Sequence, residues 1–238
     1  MPDSHWFIEC MERGATLVTI TPEYSPPATK SDYWIPIRPQ TDAALWLGIT
    51  RMMIDRGWYD REFVLGFTDF PLLVRTDTLR RLHAHEIFPG YTGRLSKEGP
   101  SYKIQGLTDQ QYEKLGDFVV WDEAAKQPVA ITRDDVGRRL GQKGIRAALE
   151  GTFTVKTVDG KSVEVMTLWS LYQIHLKDYD LETVHDITHA PTELIERLAK
   201  DIATIKPAAI HQGEGINHWF HATEMNRAAY LPLMLTGN

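Results

Sequence analysis

Ala15-Thr-Leu-Val-Thr-Ile20 is an uninterrupted run rich in β-branched residues, and Thr21-Pro22 closes it. Such a run reads as a buried strand, because β-branched side chains pack well on a pleated surface and the proline offers no amide to a ladder. Ahead of it, Asp3 to Glu12 reads as a short helix that Asp3 or Ser4 can cap and that Gly14 closes in the left-handed conformation. After it, the paired prolines of Ser25-Pro-Pro-Ala-Thr-Lys30 predict a loop, and Tyr33-Trp-Ile-Pro-Ile37 a second short strand. Thr41 can cap a helix from Asp42 to about Ile54, with Leu45, Ile49, Met52 and Met53 on one face. A further helix is expected from Trp58 to Gly66. A helix, two strands and a helix in this order predict an α/β lobe over residues 1–70.

The pattern changes in the middle. Between Pro71 and Lys161, glycines and prolines recur at Pro89-Gly90, Gly99-Pro100, Gly116, Pro128, Gly141, Gly144 and Gly151. Short strands are expected at Asp117–Trp121 and Thr152–Val158, the second turning at Asp159-Gly160 into Ser162–Met166. Residues 71–167 therefore read as an irregular α+β insertion rather than a domain with its own core. A second α/β lobe is expected from residue 168 to 238. Pro191 stands at a first helical position with Glu193 in the first turn, and Leu194, Leu198, Ile202 and Ile205 supply an apolar stripe. Lys206-Pro207 stops that helix, Ala208–Ile210 starts a strand, and a last helix runs from about Glu224 to Leu235. The apolar ending Leu233-Met-Leu-Thr-Gly-Asn238, with no strand after it, leads to the expectation that the chain is an internal piece of a longer protein.

Composition excludes several classes. The 32 acidic and 26 basic side chains give a net charge of -6, which offers no general attraction to nucleic acid or to an anionic membrane. The basic pairs Arg80-Arg81 and Arg138-Arg139 read as solvated faces. The single cysteine, Cys10, lies in an apolar run and is expected to be a small buried residue. One cysteine closes no internal disulfide and holds no iron–sulfur cluster by itself. No apolar stretch reaches the roughly 18 residues a membrane-spanning helix needs, so no direct membrane span is expected. The residues after Met1 lack the basic and apolar regions of a signal peptide.

Two segments carry candidate chemistry. The first joins the end of the strand at Thr21, Glu23 and Tyr24 to the helix opening at Gln40, Thr41 and Asp42. Ligands of open α/β sheets lie at the carboxyl ends of strands. A carboxylate there accepts from a ribose, one at a helix start accepts from guanine N1 and N2, and the helix N-terminus favours phosphate. The plainer alternative is that Thr41 and Asp42 only cap the helix. The second segment is Ile210-His-Gln-Gly-Glu-Gly-Ile-Asn-His-Trp-Phe-His221. Gly213 and Gly215 let a backbone pass close to a bulky ligand, and Asn217, His218 and His221 add donors beside aromatic walls, an arrangement suited to a small oxyanion or a pterin. The alternative is a tight turn whose histidines satisfy loop carbonyls. No Gly-x-Gly-x-x-Gly occurs, so NAD binding is not supported. His83 and His85 have metal-compatible spacing but no third ligand nearby in sequence, and His185 and His189 resemble a zinc helix only in their spacing. No metal ligand is therefore assigned.

The run from Thr19 to Leu45 resembles the molybdenum-bis(pyranopterin guanine dinucleotide) family, which includes dimethyl sulfoxide reductase. In that family a strand ends near a guanosine, an Ala-Thr-Lys-Ala-Asp loop follows, and Arg-Pro-Gly-Thr-Asp-Ala-Ala opens a helix. Here the corresponding residues are Ala28-Thr-Lys-Ser-Asp32 and Arg38-Pro-Gln-Thr-Asp-Ala-Ala44, with Gln40 where glycine is usual. Gly215-Ile-Asn-His-Trp-Phe-His221, Met225-Asn-Arg227, Leu235-Thr-Gly-Asn238 and Phe67-Thr-Asp-Phe-Pro-Leu-Leu-Val74 are similar to the large subunits of respiratory nitrate reductase and nitrite oxidoreductase, and Gly66 to His85 is most similar to nitrite oxidoreductase.

The resemblance implies parts of two Rossmann-like lobes with an irregular insertion between them. It implies a molybdenum-bis(molybdopterin guanine dinucleotide) cofactor, and oxygen-atom transfer between nitrite and nitrate, nitrite oxidation favoured, with electrons leaving through iron–sulfur clusters. Thr21, Glu23, Tyr24, Gln40, Thr41 and Asp42 then belong to a guanosine site, Gly213 and Gly215 to the approach to pterin and metal, and Asn217 and His218 to the oxyanion pocket. The molybdenum ligand and the cysteines of a 4Fe-4S cluster are implied upstream of this segment, so residues 1–238 alone are expected to be inactive. Implied partners are an iron–sulfur beta subunit and, in some relatives, a membrane-linked gamma subunit. Membrane association is then indirect, with the periplasmic side favoured over the cytoplasmic. Two alternatives stand beside this reading: a nitrate, perchlorate, chlorate or selenate reductase of the same subgroup, or a non-catalytic α/β nucleotide-binding domain.

Overall fold

A computed structural model describes residues 4–93, 108, 110–111 and 115–238; Asp3 and the Gly99-Pro100 pair lie outside the described residues. The chain divides into two compact units, one of residues 1–59 with 176–236 and the other of residues 60–175.

The first unit begins with α1 (Ser4–Glu12), which Gly14 closes at φ +89° while the Ala15 amide returns to the Cys10 carbonyl at 3.0 Å. Cys10 was expected to be buried and is exposed, because α1 buries none of its residues. Strand β1 (Val18–Thr21) is shorter than the run that announces it. It pairs in parallel with β2 (Tyr33–Pro36), Val18 opposite Tyr33 and Thr21 opposite Pro36. A parallel pair needs an intervening connection and both faces covered, and helices supply the cover. The central one is α2 (Asp42–Asp55). The expected face of Leu45, Ile49, Met52 and Met53 is buried, and so are Ala44, Trp46, Gly48, Thr50 and Ile54. A helix apolar nearly all round is a helix surrounded by protein.

The second unit starts with α3 (Arg61–Phe67), capped by the Asp60 carboxylate accepting from the Phe63 amide at 2.9 Å. Next come β3 (Leu73–Arg75), α4 (Ala84–Ile87), β4 (Phe118–Asp122), β5 (Gln127–Ile131) and the single turn α5 (Arg139–Gln142). Then follow β6 (Thr152–Lys156), β7 (Ser162–Thr167) and α6 (Leu168–Leu176). β6 and β7 form the expected hairpin, and β3 adds to its other edge to make a three-stranded antiparallel sheet. The expected strand near Asp117–Trp121 is β4, paired antiparallel with β5. The middle of the chain, where the glycine and proline pattern predicts no core of its own, is packed. It buries Leu73, Leu82, Ala84, Val119, Val155, Val163 and Val165 together, and Leu72, Phe118, Val120, Ile131 and Leu140 in a second cluster. Pro128, expected to interrupt the pattern, lies within β5 opposite Trp121, and the side chains between the turns still find one another. Among the basic pairs, Arg81 lies over the Phe118 ring at 4.1 Å instead of facing water, which fits the apolar body of an arginine.

The chain returns to the first unit through α7 (Leu181–Thr188), α8 (Thr192–Thr204), α9 (Glu214–Asn217) and α10 (Ala222–Thr236). α7, α8 and α10 all pack on α2. On α8 the buried stripe is Ile195, Leu198, Ala199 and Ile202; Leu194 is only half-buried and Ile205 is 47% exposed. The expected stripe was thus rotated by one residue at its start and ran past the helix end. Residues 208–210 form no strand, because no sheet edge meets them. The apolar end of the chain is not left bare: Met225, Ala228, Ala229, Pro232 and Leu235 are buried, and the Asn238 amide donates to the Ile202 carbonyl at 3.2 Å. Tyr33 fastens β2 to α8, its hydroxyl donating to Asp201 at 2.9 Å under the Arg197 guanidinium. No described helix is long and apolar enough to cross a membrane.

The tightest helix contact is at Gly48 of α2, where an added Cβ would stand 2.4 Å from Val184 Cγ2 of α7. Gly48→Ala is therefore expected to lower stability by about 1–3 kcal/mol through overpacking, although alanine is the better helix former. Urea denaturation tests this, and an unchanged or higher midpoint would refute it.

Candidate functional site

Parallel pairing puts the carboxyl ends of β1 and β2 at one edge of the sheet, so Thr21–Tyr24 and the turn into α2 emerge side by side. Thr21 ends β1; its hydroxyl donates to the Glu23 carbonyl and its own carbonyl accepts from Trp34 Nε1 at 3.0 Å. Glu23 is exposed. Tyr24, 62% exposed, meets Trp34 edge-on with centroids 5.2 Å apart. The Glu23 carboxylate and the Tyr24 ring thus stand open to a ligand above the strand ends.

Arg38 to Thr41 make a four-residue turn closed by the Thr41 amide on the Arg38 carbonyl at 3.3 Å. Thr41 was expected to cap α2 with its side chain. Its hydroxyl instead donates to the Arg38 carbonyl at 2.6 Å, tightening the turn, and no side-chain cap forms. Gln40, third in the turn, has φ +73°, a left-handed conformation that glycine adopts without steric cost. Asp42 opens the helix. Burial holds its carboxyl above the ordinary carboxylate range, and a hydrogen bond from its own backbone amide offsets only part of that. A half-buried carboxylate held this way, with no ion pair to it among the described residues, costs stability that a ligand donor would return.

The second segment lies in the same unit. Gly213 precedes α9 in extended conformation, and an added Cβ at Gly213 or Gly215 would meet nothing within 4 Å. Neither glycine is required by the chain's own packing, and both border open space. Asn217 Oδ1 accepts from Asn226 Nδ2 at 2.8 Å, which fixes the amide while leaving its NH2 group to donate. His218, Trp219 and Phe220 are exposed, Phe220 at 80%. His221 has φ +63° and stacks edge-on with Phe220 at 4.2 Å. α9 packs on α10, and α10 on α2, the helix that Asp42 opens. Among the described residues no hydrogen bond or ion pair joins the two segments directly.

The structure adds residues that the sequence did not single out. Gln212, beside Gly213, has a buried side-chain oxygen with no hydrogen-bond partner among the described residues, a position where a ligand donor would be welcome. His83 and His85 gain a neighbour in Asp117. His185, by contrast, engages the Ala190 carbonyl at 2.8 Å, and His189 ends α7 at φ +59°, so this pair closes a helix.

Two outcomes follow from the turn. Gln40→Gly is expected to raise stability by up to about 1 kcal/mol by relieving the left-handed backbone. Asp42→Asn is also expected to raise it at neutral pH. Because the folded state raises this carboxyl's pKa, the folded chain binds more protons than the unfolded one just above the ordinary carboxylate value. Stability falls as pH rises through that window, and the penalty stands in full beyond it. The advantage of Asp42→Asn should therefore vanish on acidification below that window. Denaturant titrations at neutral and acidic pH test this, and a neutral-pH loss would refute it.

The sequence profile described as molybdopterin oxidoreductase matches residues 4–238. The alpha subunit of respiratory nitrate reductase from Haloferax mediterranei is 31% identical over 246 residues, covering 100% of this chain and 23% of its own length. The alpha subunit of perchlorate reductase from Dechloromonas aromatica is 32% identical over 247 residues, with 100% and 26% covered. The chain spans about a quarter of the length of these relatives. The solved structure of acetylene hydratase from Pelobacter acetylenicus aligns with 99% of this chain and 19% of its own, at a TM-score of 0.52 and 16% identity, a likeness of fold alone.

Proposed function

This chain belongs to the molybdopterin oxidoreductase family, and on that premise we propose that it forms part of a catalytic subunit that interconverts nitrite and nitrate, with nitrite oxidation as the favoured direction. The observation that carries the proposal is Asp42, a half-buried carboxylate whose burial is only partly offset, at the shared carboxyl edge of two parallel strands. A guanine edge presents the two N–H donors that such a carboxylate lacks.

The residues present fit a pyranopterin guanine dinucleotide. Asp42 would accept from the guanine, Glu23 from the ribose, and Tyr24 would offer a ring face, with Thr21, Gln40 and Thr41 shaping the turn. Gly213 and Gly215 would admit the pterin, for an added Cβ at either would fill the open space rather than strike the chain. When bound, the molybdenum–pterin group supplies two-electron oxygen-atom transfer. The chain's own contribution is orientation and electrostatics. Asn217, steadied by Asn226, would direct its NH2 toward an oxyanion, and exposed His218 would add a second donor. A 4Fe-4S cluster, an iron–sulfur beta subunit, a membrane-linked gamma subunit and a periplasmic location are parts of the same proposal. A second reading, reduction of perchlorate, chlorate or nitrate, is favoured by the 32% identity to a perchlorate reductase subunit.

The test is the purified complete subunit. Molybdenum and guanine nucleotide are expected in it, and Asp42→Ala should lower both contents together. Asn217→Ala or His218→Ala should raise the KM for the oxyanion about tenfold or more with molybdenum content unchanged. Molybdenum with turnover of chlorate or perchlorate but neither nitrite nor nitrate would favour the second reading. A subunit without molybdenum would refute both and leave a nucleotide-binding domain.

A further inference from the structure

The approach to α4 holds a side-chain cluster that the oxidoreductase reading leaves unused. Leu82 and Ala84 are wholly buried, and the Leu82 amide donates to the Leu73 carbonyl of β3 at 2.8 Å. With these two turned inward, His83 and His85 are left on the outer side, their ring centroids 5.3 Å apart. Asp117, the residue before β4, meets them there. Its Oδ1 accepts from the His85 amide at 3.1 Å, and its Oδ2 faces Nδ1 of His83 at 3.1 Å and Nδ1 of His85 at 2.6 Å. Its side chain is only 13% exposed, against 37% and 60% for the histidines. Burial pushes the Asp117 carboxyl up, but hydrogen bonds from His85 and the charge of both imidazoles outweigh it and hold it below the ordinary value.

One carboxylate oxygen and two imidazole nitrogens lie within 4.8 Å of one another. A zinc-type ion about 2.0–2.2 Å from each donor would space them roughly 3.3–3.5 Å apart in tetrahedral geometry. Asp117 Oδ2 now stands 3.1 Å and 2.6 Å from the two Nδ1 atoms, closer than that spacing, so the carboxylate would draw back from both rings on binding. The donor set selects the ion. Two imidazoles disfavour magnesium and calcium, which want oxygen, and the absence of a thiolate disfavours copper(I). The nearby Glu86 does not compete, since Arg75 holds it at 2.8 Å and the His83 amide takes its other oxygen at 2.8 Å. The backbone on both sides is anchored, His83 by the buried residues flanking it and Asp117 by the start of β4, so the site is largely preorganised.

We propose that His83, His85 and Asp117 bind one divalent transition cation of the zinc type, with water completing its coordination. The ion ties the entry of α4 to the start of β4, and each coordinating ring nitrogen gives up any proton it carries when the metal binds.

Zinc chloride titrated calorimetrically into the full chain tests this. One equivalent should bind, and zinc should raise the melting temperature. The double variant His83→Ala/His85→Ala and the single variant Asp117→Asn should each weaken binding by at least about tenfold. His85→Gln keeps a donor for Asp117 and so preserves the fold, yet should lose the same affinity. Cobalt(II) should give visible absorption in the wild type and not in the variants. Absence of saturable zinc binding would overturn the proposal. So would one equivalent retained by the double variant, which would put the ligands at other histidines. Unchanged zinc affinity in Asp117→Asn with a lowered melting temperature would also overturn it, because Asp117 would then only fasten the His85 amide.

Discussion

Parallel pairing of β1 with β2 is the constraint from which the first unit follows. Two parallel strands cannot be joined by a tight turn, so the chain loops through Ser25–Ser31 before it re-enters the sheet. Both strands then end at one edge, and whatever follows either strand emerges there. That is why Thr21–Tyr24 and Arg38–Asp42, separated in sequence by a loop and a strand, share a neighbourhood. The same pairing leaves two faces to be covered, and α2 becomes the helix around which the others assemble. Leu45, Ile49 and Met53 are inaccessible to water, and α7, α8 and α10 each meet α2. Gly48 sets how closely α7 approaches.

The proposed ligand site carries its cost in the same place. Asp42 sits half-buried at a helix start, and burial raises its carboxyl more than the hydrogen bond from its own backbone amide lowers it. Gln40 is held at positive φ in the preceding turn. Two unfavourable local choices in three residues, at the carboxyl edge of a parallel pair, are what a site shaped for a partner molecule looks like. Gln212 adds a buried oxygen without a donor next to Gly213.

The second unit solves a different problem. Its two small antiparallel sheets bury their faces in two apolar clusters; β6 turns into β7 at Asp159-Gly160, and β4 into β5 at Glu123–Lys126, where Lys126 takes φ +56°. Those clusters also hold His83 and His85 in place from beneath, since Leu82 and Ala84 belong to one of them. The rigidity that builds the core thus orients the histidines above it.

Local chemistry was legible in the chain alone. The β-branched run, Gly14, the Asp159-Gly160 turn and the periodicity of α2 predicted elements that formed, because each depends on neighbours within a few residues. The run from Thr19 to Leu45 carried the family. What the sequence did not contain was partner choice. The side chain of Thr41 serves either a helix or a turn, and only the packed turn decides for the latter. Ala208–Ile210 is as apolar as a strand, but no sheet edge receives it. Ile195 and Ala199, rather than Leu194 and Ile205, face the core, because the direction of burial on α8 is set by where α2 lies. Asp117 is far from His83 and His85 in sequence, and only the packing of β4 beside α4 joins them. The sequence alone determined which segments become helix, strand or turn; the tertiary structure decided which faces and side chains meet, because long-range contacts depend on the whole core closing at once.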